Sequence, residues 1–449
     1  MDRDRVERLF AKERERYAAQ RPRSRALAER ALGHLPAGVP MPWMTRYAGP
    51  FPLFLAYAEG TWVYDVDGHV YADFALGDTG AMTGHSPKEV VPELQAQLAH
   101  GLTAMLPTED GLWVAEELSR RFGLPFWQFT LSATDANRFA LRIARAVTGR
   151  PRVLVFHGCY HGTVDETFVA LEGGAPRSRR GNLGPPVDPL LTTKVVEWND
   201  LEAVEKALAE EDVAAVLTEP VLTNVGIVHP LPGFLEGLRA LTRAYGTLLI
   251  LDETHTLSAG PGGCTRRFGL EPDMVTLGKA LGGGVPIGAY GLSREVAEAY
   301  AALLAGPHAD TAGVGGTLAA NAFSLRAARL ILERVLTEPK FAHMEAMGER
   351  FEKGAQGVFA RYGLPWHVTR LGGRVEYLFR PNPARNGTEA MAGQDSLLDP
   401  FIHLFLLNRG VLLTPFHNMA LMSPATTPEM VDRHTELLEE AVRTMLGVG

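Results

Sequence analysis

The chain has 449 residues, of which 46% are hydrophobic and 21% charged, and its formal net charge is −8. These values are typical of a globular protein with more than one domain, and the negative charge argues against nucleic acid or an anionic membrane as the main partner. With two cysteines, no apolar leader segment and no apolar run long enough to span a bilayer, the sequence predicts a cytoplasmic protein without a disulfide framework.

The first part of the chain combines helices with an irregular arm. Residues 1–35 have the periodicity of one or two amphipathic helices. The segment PAGVPMPWMTRYAGPFPL (36–53) follows and is rich in proline, methionine and aromatic residues. It carries Trp43, Arg46 and Tyr47, and it either packs on the body of the protein or forms the wall of a pocket.

The central part of the chain alternates helical stretches with short apolar runs. A hairpin comes first, since TWVYDVDGHVYADF (61–74) alternates around an Asp-Gly pair. From about residue 109 to 330 the apolar runs are FWQFTL, RVLVF, AAVLTEP, GTLLILDE, DMVTLG and GAYGLS. This alternation predicts an α/β fold with a mostly parallel sheet covered by helices. We expect an N-terminal arm and part of a small domain in 1–75, a large domain in 76–335, and the rest of a small α+β domain in 336–449.

Two charged residues follow neighbouring apolar strands. Asp252 closes the strand LLIL, and Lys279 stands in a glycine-rich turn after DMVTLG. Because parallel strands end at one edge of a sheet, both residues can face one cavity. A lysine in an apolar turn is costly to bury as a cation, which favours a neutral amine able to form a Schiff base. Pyridoxal phosphate requires such a lysine and a carboxylate for its pyridinium nitrogen, although these two residues alone are equally consistent with an ordinary ion pair.

The stretch FTLSATDANRF passes from a strand into a helix. Ser132 and Thr134 offer hydroxyl groups there, and the small Ala133 leaves backbone N–H groups accessible. A helix N-terminus of this kind is suited to bind a phosphate. The same pattern is also that of a simple helix N-cap, so phosphate binding does not follow from it alone.

Taken together, these segments resemble the class III (fold type I) aminotransferases that use pyridoxal phosphate, and the likeness covers nearly the whole chain. The resemblance implies that Lys279, in GKALGGGVPIG, forms the Schiff base and that Asp252 pairs with the pyridinium nitrogen. It implies that Tyr160, in YHG, and Thr254 lie on the two faces of the ring. The Gly-Gly-Thr segment ending at Thr317 would reach the phosphate of a neighbouring subunit, so a homodimer with shared active sites is expected. The cofactor-binding residues implied are Ser132, Ala133, Thr134, Tyr160, His161, Glu219, Asn224, Asp252, Thr254, Lys279 and Thr317.

Within this family the chain is similar both to ω-transaminases that act on amines and β-amino acids and to glutamate-1-semialdehyde 2,1-aminomutases. Asn224, in EPVLTNVG, and the arm PAGVPM resemble the aminomutase branch. The arginines that bind a substrate carboxylate in relatives are missing from their usual places, although Arg46 or Arg374 could replace them. The substrate-binding candidates are Trp43, Arg46, Tyr47, Arg374, Phe416 and His417. They form either an aromatic pocket or ordinary packing.

The resemblance and the missing arginines favour a transaminase that moves an amino group from a hydrophobic primary amine or β-amino acid to a keto acid such as pyruvate. The alternative is an isomerase like glutamate-1-semialdehyde 2,1-aminomutase, and pyridoxal-dependent lyases remain open. Since Lys279 can move the proton itself, His161, His255 and His417 are interpreted as supporting residues. No spacing of His, Cys and carboxylates predicts a metal, and no G-x-G-x-x-G follows the first strand, as a dinucleotide site would require.

Overall fold

A computed structural model describes residues 2–307, 309 and 311–448. Its strands, in chain order, are β1 (Leu55–Glu59), β2 (Trp62–Asp65), β3 (Val70–Asp73), β4 (Phe126–Thr130), β5 (Arg152–Phe156), β6 (Val169–Glu172), β7 (Ala175–Ser178), β8 (Thr193–Val196), β9 (Val213–Thr218), β10 (Leu248–Asp252), β11 (Met274–Leu277), β12 (Gly288–Leu292), β13 (His367–Leu371), β14 (Arg374–Leu378), β15 (Val411–Leu412) and β16 (Met419–Leu421). Its α-helices are α1 (Arg3–Gln20), α2 (Pro22–Ala31), α3 (Val91–Leu98), α4 (Glu109–Phe122), α5 (Ala133–Thr148), α6 (Leu201–Leu208), α7 (Phe234–Ala244), α8 (Gly263–Arg267), α9 (Arg294–Leu304), α10 (Ala322–Leu330), α11 (Glu338–Arg361), α12 (Gly387–Met391), α13 (Leu398–Leu407) and α14 (Pro428–Leu446). Within the described residues, none of these helices is long and apolar enough to cross a bilayer.

The chain divides into two compact units. The large unit comprises residues 88–341 and 384–391, and the small unit comprises 1–87, 342–383 and 392–449. The small unit thus draws on both ends of the chain. The predicted domain boundaries themselves stay predictions.

The large unit is built on a seven-stranded sheet with the order β4-β12-β11-β10-β9-β5-β8. Strand β12 is antiparallel to both of its neighbours, and the other strands run parallel to one another. Every residue of β9 and β11 is buried, as expected where helices cover both faces of a sheet. The prediction of a mostly parallel sheet is confirmed. The sequence analysis did not identify β8 or the hairpin of β6 and β7, because these four-residue strands lie within a long polar connection.

Helix α5 illustrates how the local sequence positions the site. Ser132 is its N-cap, and the Ser132 hydroxyl accepts a hydrogen bond from the backbone N–H of Asp135 at 3.3 Å. The helix ends at Gly149, whose φ of 68° suits the left-handed C-cap position. Its apolar side is buried in a cluster with residues of the central strands, including Val153 and Ile250. The cap and this packing hold the start of α5 immediately after β4.

The small unit contains two further sheets, with the orders β1-β2-β3-β15 and β13-β14-β16. The hairpin predicted around the Asp-Gly pair is confirmed as the antiparallel pair β2 and β3. The sequence predicted one or two N-terminal helices, and the structure has two, α1 and α2. Tyr17 of α1 packs in an apolar cluster with Tyr71 and Leu404, so the first helix is anchored to residues from both chain ends.

Candidate active site

The predicted cofactor residues of the large unit gather at one edge of its sheet. Six of the seven strands run parallel, so their carboxyl ends share that edge. Five of these strands lead into site residues, namely β4 into Ser132, Ala133 and Thr134, β5 into Tyr160 and His161, β9 into Glu219, β10 into Asp252 and β11 into Lys279. The topology thus brings together residues that are up to about 150 positions apart in the sequence.

Asp252, the last residue of β10, is buried and firmly held. Its Oδ2 atom accepts a hydrogen bond from Asn137 Nδ2 at 2.9 Å and lies 2.8 Å from His161 Nδ1. Its Oδ1 atom accepts the backbone N–H of Thr254 at 3.0 Å. A carboxylate with three fixed donors is a preorganised negative charge, which is what a cationic ring nitrogen requires of its partner.

The electrostatics of Asp252 and His161 agree with an ion pair. Burial alone would raise the pKa of Asp252, but the hydrogen bond and charge of His161, with the hydrogen bonds of Thr254 and Asn137, lower that pKa to about 2. Burial opposes the charged form of His161, but its hydrogen bond to Asp252 and its interaction with the nearby Cys159 raise the pKa of the imidazole to about 10. At neutral pH the carboxylate is therefore ionised and the imidazole is protonated.

The structure also identifies a residue that the sequence analysis did not assign to the site. Asn137 lies one turn into α5, and its Nδ2 donates to both Asp252 Oδ2 and the carbonyl of His161. Its Oδ1 accepts a hydrogen bond from Thr276 Oγ1 of β11 at 2.6 Å. Asn137 is fully buried among alanines and leucines of the helix. A polar residue on the apolar face of α5 was the available signal.

Lys279 sits in a strained turn directly after β11. Its φ of 45° lies in the left-handed region, which a residue with a side chain occupies at a cost of about 1–3 kcal/mol and which recurs at functional sites. Its Nζ atom lies 2.9 Å from Nε2 of His255. The preceding Gly278 packs so closely on the start of α5 that an added Cβ would stand 2.8 Å from the backbone nitrogen of Ala133. The lysine is thereby placed beside the helix N-terminus.

Glycines pack closely around the start of α5, and a side chain at their positions would collide with it. A Cβ on Gly162 would lie 2.9 Å from Thr134 Cα, and one on Gly288 would lie 2.6 Å from the carbonyl carbon of Ser132. Ala133 is the first residue of the helix, and its methyl group is small enough to leave the backbone N–H groups there accessible. Thr134 Oγ1 accepts the backbone N–H of Thr163 at 3.1 Å. This tightly framed helix N-terminus fits a phosphate group.

The remaining predicted cofactor residues lie around the same edge. Glu219 is buried and accepts hydrogen bonds from Thr223 and from Asn224 Nδ2, the latter at 2.8 Å. Burial raises the pKa of Glu219 in spite of these donors. Tyr160 is 39% exposed, and the guanidinium carbon of Arg179 lies 5.9 Å from the centre of its ring. Thr317 is exposed on the segment before α10, and its role toward a second subunit stays a prediction.

Three of the predicted substrate residues meet within the small unit. The rings of Trp43 and Phe416 are edge-on at a centroid distance of 5.7 Å. The guanidinium carbon of Arg46 lies 5.0 Å from the centre of the Phe416 ring, a cation–π distance. We call Trp43, Arg46 and Phe416 the aromatic cluster.

The other three candidates have different surroundings in the small unit. His417 Nδ1 lies 3.2 Å from Glu376 Oε1, and although burial opposes it, the charge of Glu376 raises the pKa of His417. Arg374 is buried and donates to Thr79 Oγ1 at 2.5 Å. Tyr47 is half-buried and packs against the apolar cluster around Tyr17. This contact supports the packing alternative for Tyr47.

No metal site is found in the described part of the chain, where no group of three or more His, Cys, Asp or Glu side chains could hold an ion.

Comparison with known proteins agrees with this geometry. The family model "Aminotransferase class-III" matches residues 43–442. A glutamate-1-semialdehyde 2,1-aminomutase of Thermus thermophilus is 36% identical over 437 residues, covering 94% of this chain and all of the relative. A glutamate-1-semialdehyde aminomutase structure from Pseudomonas aeruginosa is 48% identical, covers 99% of each chain and has a TM-score of 0.97. A variant of that enzyme is known in complex with PMP. An ω-transaminase from Sphaerobacter thermophilus is 30% identical, with a TM-score of 0.86 over 95% of this chain and 98% of the other.

Proposed function

Because this chain belongs to the class-III aminotransferase family and is a pyridoxal-phosphate enzyme of fold type I, we propose that it catalyses a 2,1-aminomutase reaction on a short amino aldehyde such as glutamate 1-semialdehyde. The full-length similarity to aminomutases supports this choice. It supports the aminomutase alternative of the sequence analysis better than the amine transaminase favoured there. The structural observation that carries the amino-transfer chemistry is the buried carboxylate of Asp252, fixed by three donors beside the turn of Lys279.

The chain offers a fitting group for each part of the cofactor. The N-terminus of α5, with Ser132, Ala133 and Thr134, would hold the phosphate. Asp252 would hold the ring nitrogen, and Lys279 would carry the cofactor covalently. When bound, pyridoxal phosphate supplies an aldehyde that combines with amines and a ring that takes up electrons from the adjacent carbon.

The protein's own groups position the substrate carbon and move its protons. Lys279 Nζ, once released by an incoming amine, is the base that removes a proton from the substrate carbon and the acid that returns it. Asp252 remains ionised throughout, because the pKa of its carboxyl is held near 2. His161 and Asn137 prevent the carboxylate from rotating, so its charge costs no reorganisation during the reaction.

Asn224 is the residue that connects the site to the aminomutase proposal. It resembles the asparagine of the aminomutase branch, and its Nδ2 is fixed by Glu219 at 2.8 Å. The same Nδ2 lies 3.5 Å from the carbonyl of Tyr160. This arrangement ties the loop after β9 to the loop after β5, and it keeps the amide oriented for a hydrogen bond to the cofactor.

A second candidate is a transaminase for hydrophobic amines or β-amino acids. The aromatic cluster favours it, since Arg46 stacks on Phe416 and Trp43 is 41% exposed. Aromatic faces of this kind suit an apolar substrate better than the carboxylate-bearing chain of glutamate 1-semialdehyde. The choice between the candidates depends on whether the reaction needs an external amino acceptor.

We also propose that the active form is a homodimer. Five exposed apolar side chains lie in the large unit on 102–112 and beside Thr317, and they are Leu102, Met105, Leu106, Leu112 and Leu318. An apolar surface of this kind is typical of an interface. Sedimentation should give a dimer at working concentration, and an active enzyme that remains monomeric would contradict the proposal. The cytoplasmic location stays a prediction from the sequence.

The deciding experiment gives the enzyme one substrate at a time. Enzyme in the pyridoxamine phosphate form is mixed with glutamate 1-semialdehyde in the absence of any keto acid, and the product is identified by mass spectrometry and NMR. Catalytic formation of the isomeric amino ketone supports the aminomutase. Parallel reactions use the pyridoxal form with (S)- or (R)-1-phenylethylamine or β-phenylalanine. Loss of its absorbance with these amines, restored by pyruvate, together with no isomerisation of the semialdehyde, would contradict the aminomutase and support the transaminase.

A further inference from the structure

The amine of Lys279 has a specific neighbour. Its Nζ atom lies 2.9 Å from Nε2 of His255, a hydrogen-bond distance between two groups that both exchange protons. His255 follows Asp252 by three residues and is only 7% exposed. It opens the stretch HTLSAGPGGCT (255–265).

The turn that carries His255 is built to hold its position. The Leu257 backbone N–H donates to the carbonyl of Glu253 at 2.9 Å, and the N–H of Ser258 donates to the carbonyl of His255 at 3.2 Å. His255 immediately precedes a short 3-10 helix, Thr256–Ala259, to which these bonds belong. The histidine is therefore fixed by backbone bonds on its C-terminal side.

The buried carboxylate of Glu253 holds the same turn in place through hydrogen bonds. Glu253 accepts hydrogen bonds from Thr256 Oγ1, from the N–H of Cys264 at 3.1 Å and from Thr265 Oγ1 at 2.7 Å. An added Cβ on Gly263 would collide with the carboxylate. The stretch 255–265 thus forms a hydroxyl and amide cradle around Glu253, and this cradle fixes the loop that places His255 against the lysine.

We propose that His255 is a second catalytic residue, which takes a proton from Lys279 Nζ and returns it during each reaction cycle. The N–H bond of the ammonium group breaks, its electron pair stays on Nζ, and the proton binds the lone pair of His255 Nε2. The amine is then neutral and able to add to a carbonyl carbon or to remove a proton from the substrate. Histidine suits this task because it changes charge near neutral pH. The inference rests on the proposed role of Lys279 as the residue that carries the cofactor.

The test measures the nucleophilicity of Lys279 directly. The full-length enzyme is loaded with pyridoxamine phosphate, so that the cofactor does not occupy the lysine, and is treated briefly with acetic anhydride at pH 7. Peptide mass spectrometry gives the acetylation rate of Lys279 relative to Lys353, whose side chain is 73% exposed and serves as internal control. Two variants are compared with wild type. His255→Gln keeps a hydrogen-bonding side chain that cannot accept a proton at this pH, and His255→Met removes the polar group.

We expect the relative acetylation rate of Lys279 to fall at least about tenfold in both variants, with the rate of Lys353 unchanged. The first-order rate of amino transfer at saturating substrate should fall in parallel, with little change in KM. A wild-type rate of acetylation in His255→Gln would overturn the proposal, whether or not His255→Met binds the cofactor. Failure of the proposed function gives a different result, since borohydride reduction of the wild-type pyridoxal form would then leave no cofactor on Lys279.

Discussion

The two units of this protein hold their candidate functional residues in different ways. In the large unit, Asp252, His161 and Asn137 form a buried hydrogen-bonded network at the ends of parallel strands. In the small unit, Trp43 and Phe416 meet through a ring contact, although they lie near opposite ends of the sequence. The first arrangement is costly to alter because each polar group depends on the others. The second can change by single substitutions. We infer that the large unit determines the chemistry, whereas a role of the small unit in the choice of substrate stays a prediction.

The strongest test of this difference between the two units removes the amine of Lys279. Lys279→Ala should reduce amino transfer by about a thousandfold or more, since the enzyme loses both the covalent attachment and the base. Lys206→Ala, at an exposed position of the large unit, is the matched control and should keep wild-type activity. Steady-state rates are compared after saturation with pyridoxal phosphate. Comparable rates in the two variants would contradict the assignment of Lys279.

The next largest effect is expected when the carboxylate of Asp252 is replaced. Asp252→Asn should lower the rate of amino transfer by about a hundredfold, because the preorganised charge is lost. The change also leaves His161 as a buried cation without its anion, so the free energy of unfolding of the cofactor-free protein should fall by about 3 kcal/mol. Urea unfolding followed by circular dichroism measures this second effect. A variant that loses activity at unchanged stability would show that the buried pair contributes nothing to the fold.

The pH dependence of stability tests the same pair without changing the carboxylate. The pKa of Asp252 is lowered from 3.8 to about 2, so its stabilising contribution is present above pH 3.8 and is lost as the pH falls through about 2. The pKa of His161 is raised from 6.5 to about 10, so its contribution is complete below pH 6.5 and is lost as the pH rises through about 10.

The measurement compares wild type with His161→Gln in urea unfolding of the cofactor-free protein. The difference in unfolding free energy should be widest, about 2 kcal/mol or more, between about pH 4 and about pH 6.5. It should narrow toward pH 10. A difference that stays constant from about pH 5 to about pH 10 would mean that His161 contributes through packing and not through charge.

The smallest effect is expected in the small unit. If the aromatic cluster contacts the substrate, Phe416→Ala should change kcat/KM for the preferred substrate by about tenfold, as expected for one side chain of a pocket. The affinity for pyridoxal phosphate should not change. Tyr57→Ala, at an exposed aromatic of the same unit, is the control. Equal kcat/KM in both variants would show that the aromatic cluster does not contact the substrate. Loss of affinity for pyridoxal phosphate in Phe416→Ala would contradict the separate roles of the two units.

Glu219, Asp252 and Lys279, which the sequence identified, each stand at or just after the end of an apolar strand. Asp252 and Lys279 could be assigned because strand ends meet at one edge, and the α/β fold followed from the alternation of strands and helices. The family resemblance supplied their roles. Asn137 could not be assigned, because its function depends on where α5 packs against β10 and β11. The pairing of His255 with Lys279 was also not predicted, because contacts within an irregular turn have no sequence periodicity.

In the small unit, the sequence identified candidate residues but not the contacts between them. Phe416 and Trp43 were both named as pocket candidates, yet no local pattern indicated that their rings touch. Likewise, the residues alone did not decide between an aminomutase and a transaminase. The absence of the usual arginines favoured the transaminase, whereas similarity along the whole chain supports the aminomutase.

The central claim is that the pocket formed by Lys279, Asp252 and the start of α5 holds the cofactor. The most direct measurement is reduction of the yellow enzyme with sodium borohydride, followed by digestion and peptide mass spectrometry. Our account predicts that the mass of the reduced cofactor is found on the peptide that contains Lys279 and that fragmentation places it on that residue. Attachment at any other lysine, or none in an enzyme saturated with pyridoxal phosphate, would contradict it.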